Sequence, residues 1–478
     1  MRQKHKNTLP GFFHNDQIND ENENKTLQIV RQFRDEYKRV DEQLTKYPEI
    51  LEAAHRDLEK LCKADATRNR RPDFTTENLF RAVLVMQIEG LPYRETSVRI
   101  AESKTLQNFC RLTKKESISH TLIGAAFGAI TPETWQIINQ FYAIRMKHEK
   151  KIDTDDIRID TTVVETNIHY PTDSSLLWDT YRVIDRIWTQ ALELGLSPIL
   201  PDFRLHPEKI RKLHLDIVRF SSSKYEKRKQ LVKSSYDTLI ERTDQALSKA
   251  KQIASCLKTS INVIAMGLGL ELESYFPAMT KVVDAARRRH AGEKVPNEDK
   301  VFSIFEAHTE LIQRGKRDKP IEFGHKILLS ETKEKFITDY KVFLRSPSDK
   351  KLLEPTVESH HELFEEYPSN VAGDMGPKRT MLYPGKDEFD GLVDDYDGKV
   401  KYFGVPGRLR DFGDALMSTF QRWRAGIEGT ISCLKRAFRL SRCHFKGFKN
   451  FCSGVGSAIF CHNMLTMVRS EMLAELPE

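Results

Sequence analysis

Residues 157–166 read IRIDTTVVET, and this stretch decides the class of fold. It is rich in β-branched residues and poor in helix formers, so it predicts a strand. Its mixed apolar run is typical of a central strand that is covered on both faces. Asp160 falls in the middle of this strand, where an acid is unfavourable unless it is paired or binds a metal.

The sequence before this strand predicts helices only. Apolar residues recur at helical spacing over Thr26–Leu61, which indicates one or two helices. Further on, capping residues and apolar runs predict four more: one that starts at Thr75 or Thr76 and ends at Gly90, one over residues 95–109, one that opens at Ser117–Ser119, and one from Thr131 to Arg145.

After the strand, the pattern alternates between helices and strands. Helices are predicted from Ser174 to His290, at Glu354–Tyr367, at Ala415–Phe438 and at Phe451–Glu475. Strands are predicted at Val301–Glu306, Glu322–Ser330, Lys335–Leu344, Asn370–Ala372 and Lys399–Val405, with the second and third forming a hairpin. The expected fold class is therefore α/β. Its expected parts are a polar tail (1–24), an all-helical domain (25–150) and a mixed domain (151–470) with a helical insertion at about 176–300.

Composition narrows the class of protein. The 478 residues are 39% apolar and 30% charged, with a net charge of +7, which is typical of a soluble globular chain. No run of about 18 apolar residues occurs, and the polar N-terminus does not resemble a secretory signal. Seven cysteines in a chain of this length argue against a disulfide framework, so we expect a cytoplasmic location and no membrane partner. A phosphate-binding GxxxxGKS loop is absent, which disfavours an NTP-driven enzyme.

The positive charge is concentrated in two segments. Residues 201–260 contain 14 Lys and Arg against 7 Asp and Glu, and residues 421–450 contain 8 against Glu428 alone. Such segments favour a polyanionic partner, most simply nucleic acid. The alternative is that they are solvated helix faces.

Three acids have settings that suggest chemistry. Asp160 lies within a strand, Asp374 follows a short strand in Gly-Asp-Met-Gly, and Glu428 is alone in a basic helix with Arg424 and Lys435 on its own face. Carboxylates are the ligands that hard divalent cations prefer, and two such cations promote phosphodiester cleavage. Each acid also has an ordinary alternative: a loop cap, a turn residue, and a salt-bridge partner for Arg424, respectively.

Several other residues are of types that occur in functional sites. Cys443-His444 and Cys461-His462 lack zinc-ligand spacing, and their cysteines are predicted to be core residues. His325 and Lys326 lie on a strand, where they either approach the site or belong to a polar face. His360 and His361 are predicted on a helix surface, and Trp423 either packs in the core or stacks on a base. Asp153, Asp155 and Asp156 are the alternatives to Asp160.

At these residues the sequence resembles the DDE transposases of bacterial insertion sequences, which have an RNase H-like catalytic core. The resemblance is carried by residues 157–175, which include HYPTDSS, by VAGDMG at 371–376, and by the spacing Arg424-x3-Glu428-x6-Lys435. Residues 79–112 also resemble the N-terminal domain that recognises terminal repeats in such enzymes. The family signature has a Tyr where this chain has Gln421 beside Phe420, and the insertion at 176–300 has no clear counterpart.

The resemblance implies a function and its residues. Asp160, Asp374 and Glu428 would hold two Mg²⁺ or Mn²⁺ ions, and Arg424 and Lys435 would contact DNA, with Arg422, Arg436 and Trp423 completing the DNA-binding set. The chain would cut double-stranded DNA at terminal inverted repeats and join it to target DNA, as a homodimer in the synaptic complex, at the bacterial nucleoid. Two alternatives remain open: a catalytically inactive DNA-binding derivative, and a less specific RNase H-like nuclease.

Overall fold

The computed structural model describes residues 27–63, 74–112, 117–314, 320–348, 352–373 and 415–475, and the backbone of 401–404. The chain divides into two compact units. Unit 1 combines residues 1–165 with 325–478, and unit 2 comprises residues 166–324. The domain boundaries predicted near residues 25 and 151 stay a prediction. In this division into units, the N-terminal helices and the C-terminal part of the chain belong to the same unit.

Unit 1 begins with seven helices. These are α1 (Gln28–Lys46), α2 (Pro48–Lys63), α3 (Thr76–Ile88), α4 (Tyr93–Glu102), α5 (Lys104–Phe109), α6 (His120–Ala129) and α7 (Pro132–His148). The side chains of Thr75, Ser119 and Thr131 accept hydrogen bonds from the backbone N–H groups three residues later, so they cap α3, α6 and α7. These caps confirm three predicted helix starts, because capping is a local property of the sequence.

A mixed sheet follows, with a long strand at its centre. The strands are β1 (Asp156–Thr166), β2 (Glu310–Gln313), β3 (Ile321–Glu331), β4 (Ile337–Val342), β5 (Asn370–Gly373), β6 (Lys401–Gly404) and β7 (Arg442–Cys443). β3 pairs with β1 and is antiparallel to β4, which confirms the predicted hairpin, while β1, β5 and β6 are parallel neighbours. The α/β fold class is therefore confirmed.

Helices cover both faces of β1. Ile157 and Ile159 pack with Leu353 and Val357 of α12 (Leu353–Phe364). Val164 belongs to the large core that includes Ile427 and Leu434 of α13 (Ala415–Arg436) and most of α14 (Phe448–Ala474). Since side chains alternate along a strand, the even-numbered residues of β1 point towards the α13 face.

Helix α14 is the centre of unit 1. It packs against α1, α3, α7 and β4. Within the described residues it is the one helix long and apolar enough to cross a membrane, but 89% of its apolar window is buried inside the protein. Its apolar sequence is therefore explained by its central position in the core.

Unit 2 contains four long helices with a core of their own. They are α8 (Asp173–Glu193), α9 (Pro207–Phe220), α10 (Glu226–Lys258) and α11 (Val263–His290). Ion pairs connect them, such as Arg186 with Glu271 at 2.5 Å and Arg287 with Asp244 at 2.8 Å. The predicted helical insertion thus consists of four packed helices, of which α9, α10 and α11 follow one another through turns at 221–225 and 259–262.

Two local predictions are corrected, and two short strands were not predicted. Residues 301–306 form no strand, since the Ser303 hydroxyl accepts hydrogen bonds from the N–H groups of Phe305 and Glu306 and holds the chain in a turn. The helix predicted over residues 95–109 is broken at Ser103, whose side chain caps α5. β2 and β7, which have four and two residues, were not predicted from the sequence.

Candidate functional site

Asp160 occupies the middle of β1, as predicted, and is partly buried. It shares the α13 face with Arg158 and Thr162, both of which are buried. One of its carboxylate oxygens, Oδ1, accepts a hydrogen bond of 2.7 Å from the backbone N–H of Thr161. Asp160 is therefore held on the helix-covered face of the central strand, beside a buried cation.

A buried ion pair joins the strands to α13. The Nε of Arg158 donates to Glu331 of β3 at 2.6 Å, and the two side chains are only 5% and 0% exposed. The hydroxyl of Thr430 donates to the other carboxylate oxygen of Glu331. Burial raises the pKa of Glu331, while Arg158 and Thr430 act in the opposite direction. A pair so deeply buried depends on both partners, because either charge alone is costly.

Arg158 also holds α13 through a hydrogen bond to the backbone of that helix. Arg158 Nη1 donates to the carbonyl oxygen of Trp423 at 2.6 Å. At Gly426, one turn further along the helix, a Cβ atom would lie only 2.2 Å from Nη1. Glycine is thus the residue that permits this close approach of helix and strand. Neither Arg158, Glu331 nor Thr430 was singled out from the sequence, although the alternation of charged and apolar residues at 157–160 was a signal for Arg158.

Glu428 lies on α13 with its carboxylate largely in solvent. Its side chain is 65% exposed, and Arg424 Nη2 contacts its Oε1 at 3.4 Å. Arg424 itself is buried, and its Nε has no hydrogen-bond partner in the described part of the chain. The i,i+4 pairing predicted from the sequence is therefore present, yet it is weak and leaves most of the carboxylate accessible.

The other predicted DNA-binding residues lie around Glu428. Arg422 and Arg436 are exposed on α13, whereas Lys435 and Trp423 are partly buried. Arg442, just after this helix, pairs with Glu165 of β1 at 2.9 Å. Within the basic segment 421–450, Arg422 and Arg436 therefore place positive charge on an accessible surface of α13.

Asp374 lies outside the described residues, and the residue before it, Gly373, is the last residue of β5. β1 and β5 are parallel and in register, with Ile159 paired to Gly373. These are the residues that directly precede Asp160 and Asp374 in the chain. Within the described ranges, no group of three or more His, Cys, Asp or Glu side chains is close enough to hold a metal.

Two of the alternatives to Asp160, Asp153 and Asp156, have structural roles at the start of β1. Asp156 accepts hydrogen bonds from Lys333 and Asn370, both at 2.6 Å. Burial raises the pKa of Asp156, but these two donors outweigh it and hold the pKa below its usual value. Asp153 contacts Lys333 at 3.5 Å and accepts the backbone N–H of Asp155. Asp156 therefore links the start of β1 to the start of β5 and to the turn after β3.

The remaining candidates belong mainly to the core. Cys443 and Cys461 are buried, as predicted, and burial raises the pKa of Cys461. His325 is buried between the rings of Phe448 and Phe451, so it does not line an open site. The prediction for His360 was wrong: this residue is buried, because α12 presents it to Phe364 and to the core of unit 1.

None of the protein-family models, curated proteins or solved structures compared with the chain matches it. Its function is therefore inferred from its own residues and their geometry.

Proposed function

We propose that this chain is a DDE-type transposase with an RNase H-like core, which cuts DNA at the ends of an insertion sequence and transfers the strand to target DNA. One observation carries the proposal: Asp160 lies on the face of the central strand to which Arg158 fixes α13, the helix that carries Glu428. Asp160 and Glu428 are 268 positions apart in the chain, and the elements that carry them, β1 and α13, are in direct contact.

The second acid of the proposed triad is Asp374, which lies outside the described residues. The residue before it, Gly373, pairs with Ile159 on the parallel strands β5 and β1, and Ile159 directly precedes Asp160. We infer that Asp160 and Asp374 supply two carboxylates, and that α13 supplies the third from Glu428.

The donor set suits a hard divalent cation. Asp160, Asp374 and Glu428 offer carboxylate oxygens only, which Mg²⁺ and Mn²⁺ prefer. A pair of such ions would activate water or a 3′-hydroxyl and stabilise the leaving oxygen. The exposed carboxylate of Glu428 is accessible to solvent and substrate, while the Arg158–Glu331 pair keeps its helix in place.

The cations of α13 would position the DNA. Arg422 and Arg436 are exposed and suit phosphate contacts, which orient a duplex without reading its sequence. Arg424 would contact the DNA closer to Glu428 than these two arginines do. Its buried guanidinium lies beside Glu428, and its Nε has no hydrogen-bond partner in the described residues. Lys435 and Trp423 complete this proposed surface. A homodimer would bring two element ends together, and a nucleoid location in the cytoplasm fits such a substrate.

The proposal is tested with Asp160→Asn and Glu428→Gln in the full-length protein. The substrates are duplexes taken from the DNA that flanks its own gene, supplied with Mg²⁺ or Mn²⁺. Each substitution keeps the shape of the side chain and removes its charge, so cleavage should fall by at least about a hundredfold. Duplex binding should stay within about twofold, because neither acid is expected to hold DNA.

Asp155→Asn is the matched control, since Asp155 is an exposed acid five positions before Asp160. It should cleave as the unchanged protein does. Near-normal strand transfer by Asp160→Asn or Glu428→Gln would remove that residue from the triad. Equal cleavage of random duplexes would indicate the less specific nuclease, and metal-independent binding without any cleavage would indicate the inactive derivative.

A further inference from the structure

The net positive charge of the 201–260 segment of unit 2 comes from one part of that segment. Residues 209–233 hold 9 Lys and Arg against Asp216 and Glu226, whereas the rest of the 201–260 segment holds 5 of each sign. This charged part includes most of α9, the turn at 221–225 and the start of α10. The excess of the whole segment therefore belongs to a single helical hairpin.

The end of this hairpin contributes no buried residue, although the partly buried Val232 packs against the core of unit 2. From Val218 to Ser234, no residue is buried, and residues 224–231 are all exposed. Burial resumes at Ser235 on α10 and at Ile217 on α9. These 17 residues, here named the basic hairpin tip, thus project from the packed helices of unit 2, and their charges are not required for packing.

The charges of the basic hairpin tip are poorly compensated within it. Within the described residues, Lys224, Lys227 and Lys233 make no ion pair, and Lys229 contacts the exposed Glu226 at 3.4 Å. Exposed pairs of this kind contribute little. Six cations against one acid on a short projection repel one another, so the surface favours an anionic partner.

Aromatic contacts hold two guanidinium groups at the turn. Arg228 lies 5.1 Å from the ring centre of Phe220 and 5.3 Å from that of Tyr225, and Arg219 lies 6.0 Å from Phe220. Tyr225 is 71% exposed. These cation–π contacts restrict the arginines and still leave their N–H groups towards solvent, which suits phosphate oxygens.

We propose that the basic hairpin tip binds the phosphate backbone of double-stranded DNA, as a contact additional to α13. The choice of DNA rests on the proposed function. From Lys227 to Lys233 the helix rises about 9 Å, a length over which one DNA strand presents two or three phosphates. Exposed apolar residues such as Val218 and Leu231 are isolated among charges, so the tip lacks the continuous apolar face of a membrane-surface helix.

The test is a triple variant of the full-length protein, Lys224→Gln, Lys227→Gln and Lys233→Gln. Its binding to a random duplex of about 30 base pairs is measured between about 50 and 200 mM salt. Each phosphate contact contributes about 0.9 to the slope of log K against log salt, so the slope should decrease by about 2 to 3. Affinity at about 0.1 M salt should fall roughly tenfold to a hundredfold.

The matched control is Lys251→Gln, Lys281→Gln and Lys294→Gln, which removes the same charge from exposed sites elsewhere in unit 2. It should retain the original slope. An unchanged slope in the tip variant, or an equal loss in the control, would overturn the proposal. Loss of binding to phosphatidylserine vesicles with unchanged DNA binding would assign the tip to membranes instead.

The outcome is separable from that of the proposed function. The loss of metal-dependent cleavage in Asp160→Asn tests the transposase chemistry, and this substitution does not alter the lysines of the tip. Salt-dependent binding tests the tip and requires no cleavage. If the triple-lysine variant has a smaller salt slope but the unchanged protein cleaves no DNA, this inference stands and the catalytic proposal is rejected. If the unchanged protein cleaves DNA and the triple-lysine variant keeps the original slope, the catalytic proposal stands and this inference is rejected.

Discussion

Arg158 and Asp160 are two residues apart on the same face of β1, and their surroundings assign them different roles. Arg158 is buried and bound to Glu331 and to the backbone of α13. Asp160 is only partly buried and accepts a backbone N–H. A buried, paired cation positions elements, whereas a carboxylate that reaches the edge of the buried region is accessible to a metal or substrate.

His360 provides a prediction at this scale. Burial, with smaller contributions from Lys147 and His361, lowers the pKa of His360 to about 4. Its two ring nitrogens have no hydrogen-bond partner in the described part of the chain. Between about pH 6.5 and 4, the unfolded chain protonates this histidine and the folded chain does not, so stability is lost as the pH falls through that range.

We therefore expect His360→Leu to remove about 2 kcal/mol of the difference in unfolding free energy between pH 7 and pH 5. Urea unfolding at the two pH values measures it. The exposed His120 is the control, and His120→Gln should leave the pH dependence unchanged. An unchanged pH dependence in His360→Leu would show that this ring is already protonated, or hydrogen-bonded, in the folded protein.

At the scale of elements, α13 is docked on the sheet by its glycine and threonine positions rather than by large apolar residues alone. Gly426 faces Arg158, Ile427 and Leu434 enter the core, and Thr430 reaches Glu331. Glu428 falls to one side of this docked stripe, which explains why it remains exposed on a helix that is otherwise half buried.

Two glycines of α13 give a matched pair of substitutions. Gly426→Ala would place a methyl group 2.2 Å from the Arg158 guanidinium, which is held by its ion pair, whereas a methyl group at Gly429 would meet nothing within 4 Å. Gly426→Ala should lower the unfolding free energy by about 1–3 kcal/mol. Gly429→Ala should raise it by about 0.5–1 kcal/mol, because alanine is the better helix former.

Urea unfolding of the full-length protein compares the two variants directly. Gly426→Ala should also reduce metal-dependent cleavage if helix docking positions Glu428. Equal stability of the two variants would mean that α13 can move away from Arg158 without cost, contrary to the close packing seen here.

At the scale of the whole molecule, the two units differ in how their cores are built. The core of unit 2 draws only on residues of its own segment, from Leu176 to Ile304. The core of unit 1 combines α1–α7 with β3, β4, α13 and α14, which are distant in the chain. A core built from one continuous segment is able to fold independently, and one built from two segments requires both.

We expect a fragment of residues 166–324 to fold by itself, with a helical circular dichroism spectrum and a cooperative thermal transition. The matched fragment, residues 1–165, should lack a cooperative transition, because α14 supplies the centre of its core. A disordered 166–324 fragment would contradict the division into units. A cooperatively folded 1–165 fragment would show that the N-terminal helices form a core without α14.

Local structure was largely predictable from the sequence, since its causes are local. The cap residues Thr75, Ser119 and Thr131 marked helix starts, and the β-branched run at 157–166 marked the central strand. The strand predicted at 301–306 was wrong because Ser303 forms side-chain to backbone hydrogen bonds that a pattern of apolar residues does not reveal.

The candidate acids were also found from the sequence, because an acid in an apolar strand and a single acid in a basic helix are visible in one dimension. Only the tertiary structure placed β1 and α13 in contact, since that contact depends on Arg158, Glu331 and Thr430, which lie up to 272 positions apart. Likewise, the sequence determined that residues 201–260 are basic. The structure decided that most of the excess lies on a hairpin end with no buried residue, because burial depends on which helices pack together.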